Sequence, residues 1–302
     1  MLRTLLLVPV FAALVGCQGL GRPDDVDSPI VGLRCLILAG KQPFERENLR
    51  YIERYAGHGS AKCKVALGKM YEEGGYGVDQ DLGKARVLFA ESAALDPSMN
   101  VLLGQMAERG EGEPVDYAKA RDLYQRSGKS AALPLARLMA QGKGGSQDIP
   151  GALTLYLDTT RYVGDDAWKA MDSLRKEGHP LNEAQATRFR QVWLKGFLKE
   201  QNRRLFVREV LEAVNASGQD KSVTLTYRFT SDSGTPQVTL TKGSGDANVD
   251  AWIMKAAVRI SLRDSAPLTD ETGKLEIVSP LTVRVQEISG RVWGICGRKP
   301  CG

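Results

Sequence analysis

Five cysteines, two histidines and several pairs of adjacent carboxylates are the side chains of this sequence best suited to chemistry. Cys17, Cys35, Cys63, Cys296 and Cys301 could ligate a metal, pair as disulfides or carry a covalent modification. His58 lies between glycines and His179 precedes Pro180, so both read as loop residues, and two imidazoles are too few for a histidine-rich metal site. Neither assembles with a serine or cysteine into a nucleophilic set. Asp24-Asp25, Glu72-Glu73 and Asp165-Asp166 have the composition of acid/base pairs, but they fall in a polar tether, a helix end and a loop, where solvation or capping accounts for them. The stretches Gly74-Gly75-Tyr76-Gly77, Gly110-Glu111-Gly112 and Gly142-Lys143-Gly144-Gly145 lack the spacing of a phosphate-cradling loop. The reading is a non-catalytic chain without cofactor or metal; its rival is an accessory enzyme acting on peptidoglycan or envelope polysaccharide.

The 302 residues are 42% hydrophobic and 25% charged, which suits a globular chain long enough for two domains. Forty-one basic and 36 acidic side chains give a net charge of +5 without a block of like charges, so a nucleic-acid partner is not expected.

Arg3 precedes the apolar run Leu5 to Ala13, which ends in Leu14-Val15-Gly16-Cys17. The run is shorter than the roughly 20 residues that cross a bilayer, so residues 1–16 read as a signal peptide. Leu14 to Cys17 resembles the bacterial lipobox, in which cleavage precedes a cysteine that carries diacylglycerol. Gln18, in place of the aspartate usual in retained lipoproteins, implies transport to the outer membrane, with the chain facing the periplasm. Residues 17–29, rich in glycine and aspartate, then form a tether. The four remaining cysteines allow three pairings, of which Cys35 with Cys63 and Cys296 with Cys301 keep each bond within one end of the chain. A zinc site is the alternative, against which the spacings speak.

Two elements recur in order. Leu67-Gly68-Lys69-Met70-Tyr71 returns as Leu103-Gly104-Gln105-Met106-Ala107 and, more loosely, as Leu135-Ala136-Arg137-Leu138-Met139. Lys84-Ala85-Arg86-Val87-Leu88-Phe89 returns as Lys119-Ala120-Arg121-Asp122-Leu123-Tyr124 and as Gly151 to Tyr156. Ala85, Leu88 and Phe89 fall at i, i+3 and i+4, the period of an apolar helix face. Gly68 and Gly104 leave room for a paired helix to approach, and the glycine-rich stretches turn the chain between helices. Stacked helical hairpins over residues 30–180 are expected. This pattern resembles the SEL-like repeat, a relative of the tetratricopeptide repeat, which implies partner binding through a groove.

Residues 181–219 read as linking helix, capped by Asn182, with Phe189, Trp193 and Phe197 on one face. Arg188, Arg190, Lys195, Lys199, Arg203, Arg204 and Arg208 are expected on the other, either as a solvated surface or as a contact for anionic envelope material.

From residue 220 the period changes to two. Val223, Leu225, Tyr227 and Phe229 alternate with polar residues, Gln237 to Thr241 follows a turn, and Leu275 to Val285 supplies the last strand. Val249, Trp252, Ile253, Ala256, Ala257 and Ile260 form a helical stripe that should cover the sheet. The fold class is α+β multidomain, an α-solenoid followed by a three-stranded antiparallel sheet with one helix over residues 220–302. Gly234 to Val238, Lys242 to Asp246 and Val249-Asp250 resemble the C-terminal domain of TonB and TolA proteins, which implies that envelope proteins bind by adding a strand to a sheet edge. The oligomeric state is left open. Cys17→Ala is expected to leave an unprocessed or soluble chain, and membrane fractionation checks it: unchanged outer-membrane recovery with normal processing rules the lipobox out.

Overall fold

The computed structural model of the chain describes residues 28–262 and 265–285. The signal-like segment, Cys17 and the Cys296–Cys301 pair lie outside the described residues. The chain divides after Gln147 into two units.

The first unit is helical: α1 Pro29–Ala39, α2 Arg46–Gly57, α3 Ala61–Glu73, α4 Leu82–Leu95, α5 Asn100–Arg109, α6 Tyr117–Ser127 and α7 Ala132–Gln141. Two successive hairpins, α3 with α4 and α5 with α6, are built alike. Asp81 Oδ1 accepts from Lys84 N and Asp116 Oδ1 from Lys119 N, both at 2.9 Å, so an aspartate caps the second helix each time. Their own backbone amides reach back across the loop to Tyr71 O at 2.8 Å and Ala107 O at 2.9 Å. Ser92 Oγ donates to Ala61 O and Ser127 Oγ to Ser98 O, tying the second helix of each hairpin to the start of the first. The glycine loops turn through positive φ at Gly74 and Gly110, a conformation in which a side chain would be strained.

The helices meet where the repeated glycines stand. A Cβ added to Gly68 would lie 2.5 Å from Phe89 Cε1, and one added to Gly104 would lie 2.5 Å from Tyr124 Cε1. Phe89 and Tyr124 are fully buried by that approach. Tyr124 Oη also donates to Glu108 Oε2 at 2.7 Å, and burial together with that carboxylate pushes its phenol well above the ordinary tyrosine range. Ahead of the hairpins, a disulfide joins Cys35 of α1 to Cys63 of α3, closing a loop of 28 residues. Val31, Ile52, Tyr55 and Met70 fill the core around it. Ile30, Leu33, Leu36 and Ile37 of α1 remain exposed.

The second unit contains α8 Ile149–Thr159, α9 Asp166–Lys176, α10 Glu183–Leu205, α11 Arg208–Ser217, β1 Lys221–Thr230, β2 Gln237–Lys242, α12 Ala247–Ala257 and β3 Lys274–Val283. The sheet is antiparallel in the order β2-β1-β3, with Tyr227 opposite Val238 on one side and Ile277 on the other. The architecture is therefore a helical repeat solenoid followed by helices and a small three-stranded sheet.

Three sequence expectations are corrected here. The linking stretch 181–219 is not one helix, because the chain breaks at Phe206 and Val207 between α10 and α11. The compact division falls after Gln147 rather than at 220, since the inward side chains of β1 pack against α10, which the sequence assigned to a linker. An alternating strand announces that one face is buried without saying against what. Trp252 is half-buried, with Lys255 Nζ 4.4 Å from its ring centre, whereas Val249, Ile253, Ala256 and Ala257 form the buried stripe of α12.

The glycine contact predicts opposite outcomes at two helical glycines. Gly104→Ala should cost ~1–3 kcal/mol, because the aromatic ring it meets is fully buried and cannot withdraw. Gly57→Ala, where a Cβ meets nothing within 4 Å, should be neutral or stabilising by up to ~1 kcal/mol. Urea unfolding of the two variants checks the contrast.

Candidate functional site

The helix that positions the site is α10. Asn182 and Gln185 form a reciprocal capping box at its start, and Gln185 Nε2 also donates to Pro150 O and Thr154 Oγ1 of α8 at 2.9 and 3.0 Å. With both ends of that amide engaged, the register of α10 is fixed. Phe189, Trp193 and Phe197, four residues apart, then face one way and are buried. Trp193 meets Phe229 edge-on at 4.9 Å, and Phe197 meets Tyr227 at 5.0 Å and Phe229 at 5.5 Å. Phe189 lies 4.6 Å from Trp168 of α9. Edge-on contacts of this kind hold rings more specifically than area burial alone.

One turn further, Gln201 is buried among these rings. Its Nε2 donates to Tyr227 Oη on β1 and to Ser279 Oγ on β3, each at 3.0 Å. Burial pushes the Tyr227 phenol up, and the bond from Gln201 opposes that shift without cancelling it. Trp168 Nε1 donates to Ser265 Oγ at 3.0 Å and Trp193 Nε1 to Ser265 O at 2.8 Å, so two indoles hold the segment that leads into β3.

Because β1 is central, β2 and β3 are both edge strands among the described residues. Beside β3 runs a groove of about 760 Å³, lined by Phe189, Arg190, Trp193 and Leu194 of α10, by residues 267–270, and by the consecutive residues Lys274 to Val278. Val278 is 58% exposed, an unusual figure for a valine in a strand that has a covered face. The charged groups of the groove are mostly committed. Glu276 Oε2 accepts from Arg228 Nε at 2.7 Å. Asp270 accepts from Thr272 Oγ1 and from the amides of Thr272 and Lys274, which hold its carboxyl below the usual range. Arg190 is exposed and has no ion pair among the described residues. Pro280, further along β3, has no N–H to offer a neighbouring strand. The arrangement presents backbone pairing groups, an apolar wall and two cations, Arg190 and Lys274, that have no ion pair among the described residues.

The basic residues anticipated as one face are distributed differently. Arg188, Lys195, Lys199 and Arg203, spaced seven, four and four apart, share one side of α10, while Arg190 and Arg204 project from another. Arg208 belongs to α11, where its Nε donates to Glu212 Oε1 at 2.6 Å. Arg203 and Arg204 both bind Glu200. Burial would raise the Glu200 carboxyl, but the hydrogen bonds from those two guanidinium groups outweigh it and hold the carboxyl below its usual value.

The sequence-level candidates for catalysis stay dispersed. His58 ends α2, where Tyr55 packs edge-on against it, and His179 follows α9 with its amide bonded to Leu174 O. Glu72 is buried and pairs with Lys69 and Arg109 in a structural ion network. Asp165 caps α9 through Trp168 N. Among the described residues no group of three or more histidine, cysteine, aspartate or glutamate side chains could hold a metal ion, and no helix is long and apolar enough to cross a membrane. The groove and Gln201 were not foreseen. A glutamine one turn beyond Phe197 on an otherwise aromatic face was the available signal.

Hairpins with this loop and glycine pattern define a class of repeat solenoid, and comparison with known proteins finds the same pattern in part of the chain. Residues 61–97 and 97–131 match the Sel1 repeat family model. Sel1 repeats generally mediate protein–protein interactions and act as non-catalytic scaffolds. Among solved structures, a Sel1 repeat protein from Oxalobacter formigenes is 22% identical and covers 42% of this chain and 98% of its own, with a TM-score of 0.38. A protective antigen present in uropathogenic Escherichia coli strains, displaying an SLR fold, is 17% identical and covers 75% of this chain and 44% of its own, with a TM-score of 0.45. No curated protein matches the chain in sequence.

The aromatic packing ranks two substitutions. Phe197→Ala removes a ring that touches both Tyr227 and Phe229 and should cost ~3–5 kcal/mol, whereas Trp252→Ala at the half-buried edge of α12 should cost ~1 kcal/mol or less. Urea midpoints of the two variants against the parent decide the order.

Proposed function

We propose that this chain is a non-catalytic adaptor of the bacterial envelope, in which the edge of β3 takes up an extended segment of one partner protein while the Sel1 repeats engage another. The observation that carries this reading is the conjunction of a strand edge unpaired among the described residues with an apolar groove along the same residues, Lys274 to Val278. A strand laid there gains main-chain hydrogen bonds from β3 and apolar contacts from Trp193 and Leu194, and Pro280 sets where the pairing must stop. The resemblance of Gly234 to Asp250 to the TonB and TolA C-terminal domain supports the same mode of binding.

The outer-membrane location rests on the lipobox-like residues Leu14 to Cys17 and on Gln18. The Cys35–Cys63 disulfide is of the kind that persists in an oxidising compartment. Acyl chains at Cys17, each buried methylene contributing ~0.8 kcal/mol, would hold the chain firmly at the membrane. The exposed Leu33 and Ile37 of α1 follow the tether and suit a position close to lipid.

A synthetic peptide of alternating valine and threonine, with one aspartate to meet Arg190, is the probe. Added to the full chain, it should shift the backbone amide resonances of residues 274–278, and Leu194→Asp should weaken it at least about tenfold, equivalent to ~1.4 kcal/mol. Shifts confined to α12, or undiminished binding to the Leu194→Asp variant, would sink the strand-addition reading.

A further inference from the structure

Further along α10, a second cleft of about 720 Å³ lies among α9, α10 and the segment after α12, and it shares no lining residue with the groove beside β3. Its polar lining is arranged as two carboxylates that each hold a pair of cations. Asp172, almost fully buried, accepts from Arg175 Nη2 at 2.9 Å and from Lys176 Nζ at 2.8 Å. Glu200 accepts from Arg203 Nη2 at 2.6 Å and from Arg204 Nε at 2.8 Å. Each carboxylate fixes its cations in place and leaves the trio with one net positive charge. Arg204 commits only Nε, so the outer nitrogens of its guanidinium remain available.

Two further groups add to the lining. Arg259, exposed at the end of α12, lines the cleft and has no carboxylate within reach among the described residues. Ser265, 7% exposed, accepts from Trp168 Nε1 through its hydroxyl oxygen and so keeps its own proton to donate into the cleft. A preorganised fork of guanidinium groups, an ammonium and a buried hydroxyl donor is complementary to an oxyanion.

We propose that this cleft binds a phosphate monoester group. Lys169, Lys176, Arg203, Arg204 and Arg259 set against Asp172 and Glu200 leave a charge of +3, which suits a phosphate monoester, about −1.5 to −2 at pH 7, better than a single carboxylate. Arg259 is the residue whose charge is unspent without a ligand, and it carries the discrimination. The volume exceeds that of one phosphate, so the group enters with part of a larger body, either a soluble phosphorylated molecule or a lipid headgroup. The site is separate from the β3 groove.

The test uses the full chain and two probes, inorganic phosphate and vesicles of phosphatidic acid in phosphatidylcholine. Phosphate at constant ionic strength should raise the thermal midpoint relative to chloride, or the vesicles should co-sediment the chain; the responding arm identifies the source of the group. Arg259→Ala should weaken that response at least tenfold, Arg259→Lys should restore part of it, and Arg190→Ala, outside the cleft, should leave it unchanged. Equal response to phosphate and chloride with no vesicle binding, or full response in the Arg259→Ala variant, overturns the assignment. Binding of the valine–threonine peptide should persist in the Arg259→Ala chain, which separates a failure here from a failure of the strand-addition reading.

Discussion

The missing Cβ at Gly68 and Gly104 sets the separation of the paired helices, and much else in the first unit follows from it. With the backbones that close, Phe89 and Tyr124 lie across the glycines and lose all contact with water. Close approach also brings Ser92 and Ser127 within reach of carbonyls at the start of the partner helix, which a wider spacing would leave to solvent. The loops must then reverse the chain in few residues, which is why glycines with positive φ occur there. One small residue per hairpin thus dictates the packing, the polar bonds and the turn.

The second unit solves its packing problem in the reverse manner, with bulk instead of its absence. Phe189, Trp193 and Phe197 form a ridge on α10 that the rings of β1 meet edge-on. A ridge this tall keeps the helix from lying flat along the sheet at β3, and the groove is the space left beside it. The two indole donors to Ser265 anchor the approach to that strand. Groove and cleft alike therefore depend on a helix whose position is set by the capping box at Asn182 and by the Gln185 bonds to α8.

Repetition made the first unit legible from sequence. A leucine–glycine pair followed by a lysine–alanine pair, each recurring at similar distances, marks both helices and the loop between them, and the Sel1 repeat family model covers the two clearest units. The strands and α12 were visible through their periods of two and of three to four. What the sequence concealed was pairing across long separations. The aromatic stripe of α10 looks the same whether it faces a repeat or a sheet, and the change of period at residue 220 suggests a boundary where the chain merely turns. Periodicity places Trp252 in the stripe of α12 without giving its depth, and a tryptophan at the margin of a stripe can lie along the surface under a lysine. The candidate site was largely hidden, since an open strand edge is a property of sheet order and not of any residue type.

Gln201 has a consequence for how the sheet reaches its final pairing. Its amide donates to a side chain on each of two strands, and those hydroxyls, Tyr227 and Ser279, stand within reach of one another's position only in one alignment of β1 and β3. Were β3 to slip by a single residue, Val278 or Pro280 would replace Ser279, and a buried amide would lose one of its two acceptors, at a cost of ~1–3 kcal/mol. The glutamine acts as a proofreader of register: misaligned sheets are penalised by an unmet hydrogen bond in the core, before any partner has the chance to test the edge.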